Sequence, residues 1–440
     1  MTSSNLIRAA ALAMAATLVL SACAAAPAAP PAAPAPPAAA KPAAAEPVNL
    51  RVTVWSGNEK HLQTMNDIAT AYKAKNPNVS VKFDVIPFAD YLSKLTVQMS
   101  GNNPPDLGWV VENAAPAFID AGVLVDQKPS LDKTQGYNFA EYSQPAMGLW
   151  QRGGAVYGIP FSTSPFFVVY NKDLFAKAGT DTPDKLLAQG KWTWETLAQA
   201  AKAIQATGGG VYGFQPVDSF PYNANIIAPV IRAYGGDLWD ATGTKCMLNA
   251  DSSVKAMQLI HDMLFKDKSA TPIGDKSDFY AGQVGMATAQ LSRLAKLDKA
   301  PFKWDVIPLP SGPAGDSQMV GQAALGVFRS GKNQATALDF AAFMTNAENT
   351  AKMSIYFPPA RKSVFEAPAF LTSNPMVTAE QMKASVAVGI DKGKIVPVHT
   401  NFAKIELALK PVLDKTWLPG ADVKAQMDEA CKAIAPLLTP

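Results

Sequence analysis

Cysteine and histidine are both scarce in this sequence, with 3 residues of each among 440. So few cysteines cannot build a disulfide framework or a cysteine-rich zinc site. The histidines, His61, His261 and His399, are far apart in the chain, which argues against a histidine metal centre. We therefore expect neither a metal ion nor another cofactor.

An excess of charge of one sign is also absent, since 39 Lys and Arg residues accompany 36 Asp and Glu residues, for a net charge of +3. A surface that binds phosphate backbones needs a basic excess, so nucleic acid is not an expected partner. No segment repeats with a period of about 20 to 50 residues, which excludes solenoids and propellers. The length and the 48% hydrophobic content predict about two or three compact units.

Familiar catalytic motifs are missing: there is no Gly-x-Ser-x-Gly elbow, no His-Glu-x-x-His pair and no phosphate-binding loop. One enzyme hypothesis stays open, a secreted glycosidase in which Glu59 and Glu112 act as paired carboxylates about 5 to 10 Å apart. We expect instead a protein that does no covalent chemistry.

Residues 1–22 have the organisation of a secretory signal peptide, with a polar start, Met1–Arg8, and an apolar run, Ala9–Leu20, that is too short to span a bilayer. The segment ends in Leu-Ser-Ala-Cys, which resembles the lipobox of bacterial lipoproteins. By this resemblance Cys23 is lipidated and becomes the first residue of the mature chain. The alternative is an ordinary signal peptide cleaved near an Ala-x-Ala site.

Residues 23–47 are predicted to be a linker, because Ala24–Pro47 contains only Ala, Pro, one Lys and one Glu. Such a segment buries too little apolar surface to offset the entropy of ordering. Frequent proline favours extended conformations. We expect a tether that holds a folded, extracytoplasmic body at the periplasmic or outer face of the cell membrane; a neutral spacer is the alternative.

The folded body begins with alternating apolar residues over Leu50–Val54 and Val79–Val85, which predict strands on either side of a helical pattern, Lys60–Lys75. A second helix, Tyr91–Ser100, and a third strand, Leu107–Val111, follow. This β-α-β-α-β order is typical of a parallel sheet covered by helices.

Polar and aromatic residues follow two of these strands directly. Trp55, Asn58 and Glu59 come after the first strand, and Glu112 and Asn113 come after the third. Ligands of parallel sheets bind beyond the carboxyl ends of the strands, so these five residues are candidate ligand contacts. For Trp55, packing inside its own domain is the alternative.

The chain also contains a series of short motifs. Each motif alone is a weak indicator of a protein family, but the motifs in this order are a specific one. They are Asn76–Val81, Pro104–Leu107, Ala121–Leu124, Val156–Pro160, Tyr170–Phe175, Trp192–Glu195, Phe279–Met286, Pro308–Gly312 and Pro359–Lys362. In this order they resemble the extracellular solute-binding proteins of ABC importers, in particular the maltose-binding-protein-like sugar-binding group. The resemblance covers about residue 48 to the C-terminus.

The resemblance implies a two-lobe α/β fold of the periplasmic-binding-protein type, in which each lobe is a sheet flanked by helices. Hinge crossovers would fall near residues 162–164, 307–310 and 357–360. Lobe 1 would comprise residues 48–161 plus 311–357, and lobe 2 residues 165–306 plus 361–440.

The same resemblance implies a monomeric receptor that binds a carbohydrate between the lobes and delivers it to the permease subunits of an ABC transporter. A different polar solute, such as a glycerophosphodiester or a polyol, is the alternative ligand. Sugars need planar side chains for stacking and amide, carboxylate or guanidinium groups for paired hydrogen bonds. On this basis the resemblance adds further candidate ligand contacts: Ser164, Tyr222, Asn223, Trp239, Gln290, Arg293, Gln322 and Arg361.

Two of these candidates have other interpretations. Trp239 could cover the cleft or pack beneath its own loop. Arg293 could bind an anionic or highly hydroxylated ligand, or it could be solvated, and it lies where the family often presents a Trp to the sugar.

Cys246 and Cys431 are the cysteines that remain in the exported body, both in the predicted lobe 2. An extracytoplasmic compartment permits oxidation, so we expect a disulfide between them. Two buried free thiols are the alternative.

Membrane attachment through Cys23 is directly testable. A Cys23→Ala variant should leave the membrane fraction, because it lacks the acyl chains whose burial stabilises the anchor by about 0.8 kcal/mol per methylene. Fractionation with and without detergent measures this. If the variant stays in the membrane fraction and needs detergent for its release, as the wild type does, the lipobox assignment is contradicted.

Overall fold

The computed structural model describes residues 46–101, 104–215 and 224–438, so Cys23, Tyr222 and Asn223 lie outside the described residues. Short strands and helices alternate along most of the chain. The strands are β1 (Val48–Val54), β2 (Val79–Val85), β3 (Leu107–Val111), β4 (Gln151–Arg152), β5 (Ala155–Val156), β6 (Ile159–Pro165), β7 (Phe167–Asn171), β8 (Tyr212–Gln215), β9 (Val284–Ala289), β10 (Trp304–Pro308), β11 (Met319–Val327) and β12 (Lys394–Ile395).

The α-helices vary in length from single turns to several turns. They are α1 (Glu59–Lys75), α2 (Phe88–Ser100), α3 (Ala115–Asp120), α4 (Lys128–Lys133), α5 (Gln144–Met147), α6 (Lys172–Ala178), α7 (Pro183–Ala188), α8 (Trp194–Gln205), α9 (Ala224–Ala233), α10 (Asp251–Phe265), α11 (Gln334–Met344), α12 (Ala347–Met353), α13 (Lys362–Phe365), α14 (Pro368–Leu371), α15 (Ala379–Met382), α16 (Val388–Lys392), α17 (Phe402–Thr416) and α18 (Val423–Ile434).

The first sheet has the strand order β12-β11-β3-β1-β2, with β6 as a further partner of β11. β1 runs parallel to β2 and β3, as the β-α-β-α-β order predicts, whereas β11 is antiparallel to β3 and β6. Alternation along β1 places Leu50, Val52 and Val54 in one apolar core with Met65 and Tyr72 of α1. This sheet and its helices form lobe 1.

The second sheet has the strand order β10-β7-β9-β8, and its strands and helices form lobe 2. β7 is antiparallel to β9 and β10, and β8 is parallel to β9. The side chain of Thr193 caps α8 in a capping box with Thr196. Trp194, the first residue of α8, is buried in the same core as Leu197 and Phe214.

Two strands carry the chain between the lobes. Phe161 of β6 belongs to the core of lobe 1, and Phe166, just beyond β6, belongs to the core of lobe 2. Similarly, β11 begins with Met319 in the core of lobe 2 and continues with Ala323 in that of lobe 1. Because β6 and β11 also pair with each other, the two lobes share a backbone hydrogen-bonded link.

Residues 311–315 pack against lobe 2, although the predicted boundary places them in lobe 1. The carbonyl of Ser311 accepts a hydrogen bond from the Trp194 backbone, and the Ala314 N–H donates to the carbonyl of Ala233. A Cβ on Gly312 would lie 2.4 Å from that same Ala233 oxygen, so this contact is too close for a larger residue. The second segment of lobe 1 therefore begins within β11, between Met319 and Ala323.

Among the described residues, no helix combines the length and the apolar character that crossing a membrane requires.

A disulfide joins Cys246, in the loop before α10, to Cys431 of α18, with 5.3 Å between their Cα atoms. It closes a large loop, since the two residues are 185 positions apart. Both ends lie in lobe 2.

Removal of this bond should destabilise the protein. A Cys246→Ser, Cys431→Ser double variant should lose up to about 5 kcal/mol of unfolding free energy, because the bond restricts the unfolded chain. Urea denaturation measures this loss. In alkylation of the denatured wild type, prior reduction should add two reactive thiols, and an unchanged thiol count would contradict the bond.

Candidate functional site

A small chamber lies between the two lobes, next to the paired crossing strands β6 and β11. Its walls combine aromatic rings with polar side chains from both lobes. The lining residues are Trp55, Phe88, Val111, Glu112, Phe161, Ser162, Ser164, Phe166, Gln290, Ser292, Gly321, Gln322, Ala323 and Phe357. We call it the inner chamber; it contains five of the predicted ligand contacts.

Trp55 forms one aromatic wall of the inner chamber. It follows β1 directly and lies edge-on to neighbouring rings, with centroid distances of 4.8 Å to Trp109, 5.1 Å to Tyr91 and 5.7 Å to Phe88. These contacts fix the indole in place, while part of it stays exposed to the chamber. Trp55 therefore packs inside its own lobe, as the alternative interpretation predicts, and also lines the chamber, while its contact with a ligand stays a prediction.

Glu112 is the acidic group of the inner chamber and is only 2% exposed. Its carboxylate accepts a hydrogen bond from the Gln322 backbone N–H at 2.9 Å, and its own backbone N–H donates to the Gln322 carbonyl at 3.1 Å. These two hydrogen bonds to β11 hold the carboxylate at the end of β3, where the sequence predicts it.

The side chains of Gln322 and Gln290 form hydrogen bonds that connect the chamber to the crossing strands and their neighbours. The Gln322 amide donates to Ala146 O and Thr163 Oγ1 and accepts from Trp150 Nε1, so it supports the wall of the chamber. Gln290 of lobe 2 donates through Nε2 to the Ser164 carbonyl at 2.9 Å. Gln290 therefore links lobe 2 directly to the crossing strand β6.

Three of the predicted contacts are placed elsewhere. Asn58 caps α1 by accepting from the backbone N–H groups of Lys60 and His61, and Glu59 is an exposed residue of the first turn. Glu59 is not among the residues that line the inner chamber with Glu112. Trp239 is buried in the core of lobe 2, in agreement with the packing alternative.

Arg361 is also a structural residue rather than a cleft residue. It is 1% exposed, and its guanidinium lies over the rings of Tyr137 and Tyr142 at 4.8 and 4.6 Å. The guanidinium donates to the carbonyls of Tyr137 and Thr345 and to the Glu141 carboxylate at 2.8 Å. Its position in lobe 1 corrects both the ligand-contact prediction and the predicted start of the last lobe 2 segment.

A second, larger chamber adjoins the inner one, since Phe88 and Val111 line both. We call it the outer chamber. It holds about 660 Å³, against about 90 Å³ for the inner chamber. It is lined by Phe88, Ala89, Tyr91, Leu92, Ser93, Thr96, Val111, Asn113, Ala403, Glu406, Leu407 and Lys410.

Asn113 therefore lines the outer chamber rather than the inner one. Arg293, which is half-buried after Gln290, is not among the lining residues of either chamber. Glu406 is a residue of the chamber lining that sequence reasoning missed. Burial raises the pKa of its carboxyl to about 7. In the sequence it looks like any acidic residue on an amphipathic helix, and no local signal distinguishes it.

The lobes also meet directly near the start of α1. Lys60 Nζ lies 2.7 Å from Asp298 of lobe 2. His61, the next residue, is packed against the rings of Tyr356 and Phe357, and its Nδ1 is 2.7 Å from Ser56 Oγ. Burial lowers the pKa of His61 to about 4, with a smaller opposing effect of the Ser292 backbone in lobe 2.

The pKa of His61 makes stability depend on pH. The folded protein favours the neutral His61 ring. The contribution of His61 to the unfolding free energy is therefore fully present above about pH 6.5 and decreases as the pH falls toward 4. The loss in unfolding free energy should reach up to about 3 kcal/mol. A His61→Gln variant should lack this dependence, which urea midpoints measured across that range would show. Parallel pH curves for the two proteins would contradict the assignment.

This architecture, with two α/β lobes, shared crossing strands and a lined cleft between them, defines a two-lobed binding protein. The family model of the bacterial extracellular solute-binding proteins matches residues 56–351. The chain belongs to this family, and the predicted family and two-lobe fold are confirmed.

Individual relatives have low sequence identity to this chain, but the similarity covers most of each chain. The sn-glycerol-3-phosphate-binding periplasmic protein of Pectobacterium atrosepticum is 26% identical over 71% of this chain and 71% of its own length. The arabinooligosaccharide-binding protein of Bacillus subtilis is 24% identical over 80% of this chain and 84% of its own. An ABC substrate-binding protein of Listeria monocytogenes, solved in complex with cycloalternan, has a TM-score of 0.78 at 22% identity, covering 89% and 99% of the two chains.

Proposed function

We propose that this solute-binding protein captures a carbohydrate in the interlobe cleft and delivers it to the permease of an ABC transporter. It acts as a monomer, attached to the periplasmic or outer face of the cell membrane by lipid on Cys23. Ligand binding involves no covalent step. A solute that contacts both lobes binds the closed arrangement more tightly and shifts the protein toward it.

The inner chamber is the observation that carries this proposal. Trp55 and Phe88 offer apolar ring surface, which suits the C–H faces of a sugar. Glu112, Ser164 and Gln290 offer polar atoms for hydroxyl groups. The named ligands of the relatives, an arabinooligosaccharide and cycloalternan, belong to the same chemical class.

A glycerophosphate ligand is the second candidate, because one relative is named for sn-glycerol-3-phosphate. The inner chamber disfavours it, since it holds the buried carboxylate of Glu112, whereas the outer chamber is lined by both Glu406 and Lys410. A phosphate beside the Glu112 carboxylate would be repelled in a low-dielectric environment. The glycosidase alternative has no support from the structure, since Glu59 lies outside the chamber that contains Glu112.

A thermal-shift screen of neutral sugars, polyols and glycerophosphodiesters would identify the ligand, because bound ligand stabilises the folded state. With the best sugar, Trp55→Ala should weaken binding roughly ten- to hundred-fold, since it removes a wall of the chamber. Titration calorimetry measures the affinity.

Glu59→Ala is the matched control, because Glu59 is four residues away in sequence but exposed on α1. It should keep wild-type affinity. Full affinity in Trp55→Ala, or stabilisation by glycerophosphodiesters alone, would contradict carbohydrate binding in this chamber.

A further inference from the structure

The outer chamber is continuous with the inner chamber and also lies between the lobes. Phe88 and Val111 line both chambers. The walls of the outer chamber come mainly from α2 of lobe 1 and from α17 of lobe 2. A solute whose sugar is held in the inner chamber therefore extends into the outer chamber if it carries a further group, and that group contacts both lobes.

Apolar side chains line the outer chamber from both lobes. Phe88 and Leu92 belong to α2, and Ala403 and Leu407 belong to α17. Phe88 is 43% exposed and Leu407 is 74% exposed. Single exposed apolar side chains are common on soluble proteins, but exposed apolar side chains on both walls of one cleft indicate a binding surface.

The hydroxyl groups of the lobe 1 wall already donate hydrogen bonds within the protein. Ser93 Oγ donates at 3.0 Å and Thr96 Oγ1 at 2.8 Å to backbone carbonyls one turn earlier in α2. The Tyr91 hydroxyl is 2.8 Å from the Trp109 carbonyl. Because a hydroxyl group has a single proton, this wall offers the hydroxyl groups of a sugar few donors.

The charged residues that line the outer chamber, Glu406 and Lys410, both belong to α17. The inner chamber differs, since polar side chains reach it from both lobes, among them Glu112 of lobe 1 and Gln290 of lobe 2. The two chambers therefore suit different parts of one ligand, a hydroxylated part in the inner chamber and an apolar part in the outer chamber.

We propose that the solute is an amphiphilic glycoside, whose sugar occupies the inner chamber and whose apolar aglycone, an alkyl chain or an aromatic ring, lies in the outer chamber between Phe88 and Leu407. Burial of the aglycone removes apolar surface of both partners from water, which stabilises the complex in proportion to the area buried. Because Phe88 belongs to lobe 1 and Leu407 to lobe 2, the aglycone also favours the closed arrangement.

This assignment rests on the proposed carbohydrate function and narrows it to glycosides with an apolar substituent. The shared residues Phe88 and Val111 place the apolar surface directly beside the sugar. That continuity favours the solute over an apolar segment of the permease as the occupant of the outer chamber.

Calorimetry with paired glycosides tests the aglycone site. The panel contains the methyl and hexyl β-glycosides of glucose, galactose and maltose, so the members of a pair share a sugar and differ only in the length of the alkyl chain. The wild type should bind the hexyl member of a recognised pair about tenfold more tightly, because each methylene that leaves water adds to the affinity.

Leu407→Gln should lower this preference about threefold and leave the affinity for the methyl glycoside unchanged. Leu407 is exposed, so its replacement removes apolar surface of the chamber without opening a cavity in the core. Leu187→Gln is the matched control, because Leu187 is 43% exposed on α7 and lines neither chamber. It should keep the full preference.

A second measurement needs no sugar. The fluorescence of N-phenyl-1-naphthylamine, a neutral apolar fluorophore, should increase when the wild type binds it and decrease when a hexyl glycoside displaces it. Leu407→Gln should weaken binding of the fluorophore, and Leu187→Gln should not.

The outcomes separate the aglycone site from the carbohydrate function. Equal affinities for methyl and hexyl glycosides would overturn the aglycone site and leave carbohydrate binding intact. A hexyl preference that Leu407→Gln does not change would also overturn it. Fluorophore binding that depends on Leu407, in a protein that binds no glycoside, would support an apolar site and contradict the carbohydrate function. Equal affinities together with loss of sugar uptake in cells that carry Leu407→Gln would overturn the aglycone site and indicate a docking surface for the permease.

Discussion

The pairing of β11 with β6 is the interaction on which the cleft depends. Both strands cross between the lobes, and β11 pairs on its other side with β3. This arrangement brings Ser164 of β6, Gln322 of β11 and Glu112 after β3 to one place. The two hydrogen bonds between Glu112 and the Gln322 backbone fasten the acidic group of the chamber to the hinge itself. Any rotation of the lobes about these strands therefore changes the chamber, which couples ligand contact to lobe movement.

Local patterns in the sequence were sufficient to predict the parts of the fold that depend on neighbouring residues. Period-two alternation identifies β1, β2 and β3, and the rule for parallel sheets predicts that Trp55 and Glu112 lie near the ligand site. Ser164, Gln290 and Gln322 required the family resemblance, because their positions depend on strands that are distant in sequence. For these residues the resemblance predicts the location, but the structure shows that Gln322 mainly supports the wall.

The failures have a common physical origin, since sequence position does not reveal which way a side chain points. Arg361 follows a hinge segment, yet the rings of Tyr137 and Tyr142 hold it within lobe 1. For Trp239 the sequence left cleft contact and packing both open, and the side chain packs into the core of lobe 2. Glu406 was missed for the converse reason: it lines the outer chamber together with residues of α2 from the other lobe, and no local pattern encodes this arrangement of segments that are distant in sequence.

Small-angle X-ray scattering, with calorimetry on the same sample, is the most direct test of a cleft that closes on its ligand. With the best-binding sugar, the radius of gyration should decrease in the wild type at saturation, because the ligand contacts both lobes. Gln290→Ala, which lacks the side chain that bridges to Ser164, should need more ligand to reach the same decrease. Tight binding with an unchanged radius of gyration would contradict ligand-driven closure.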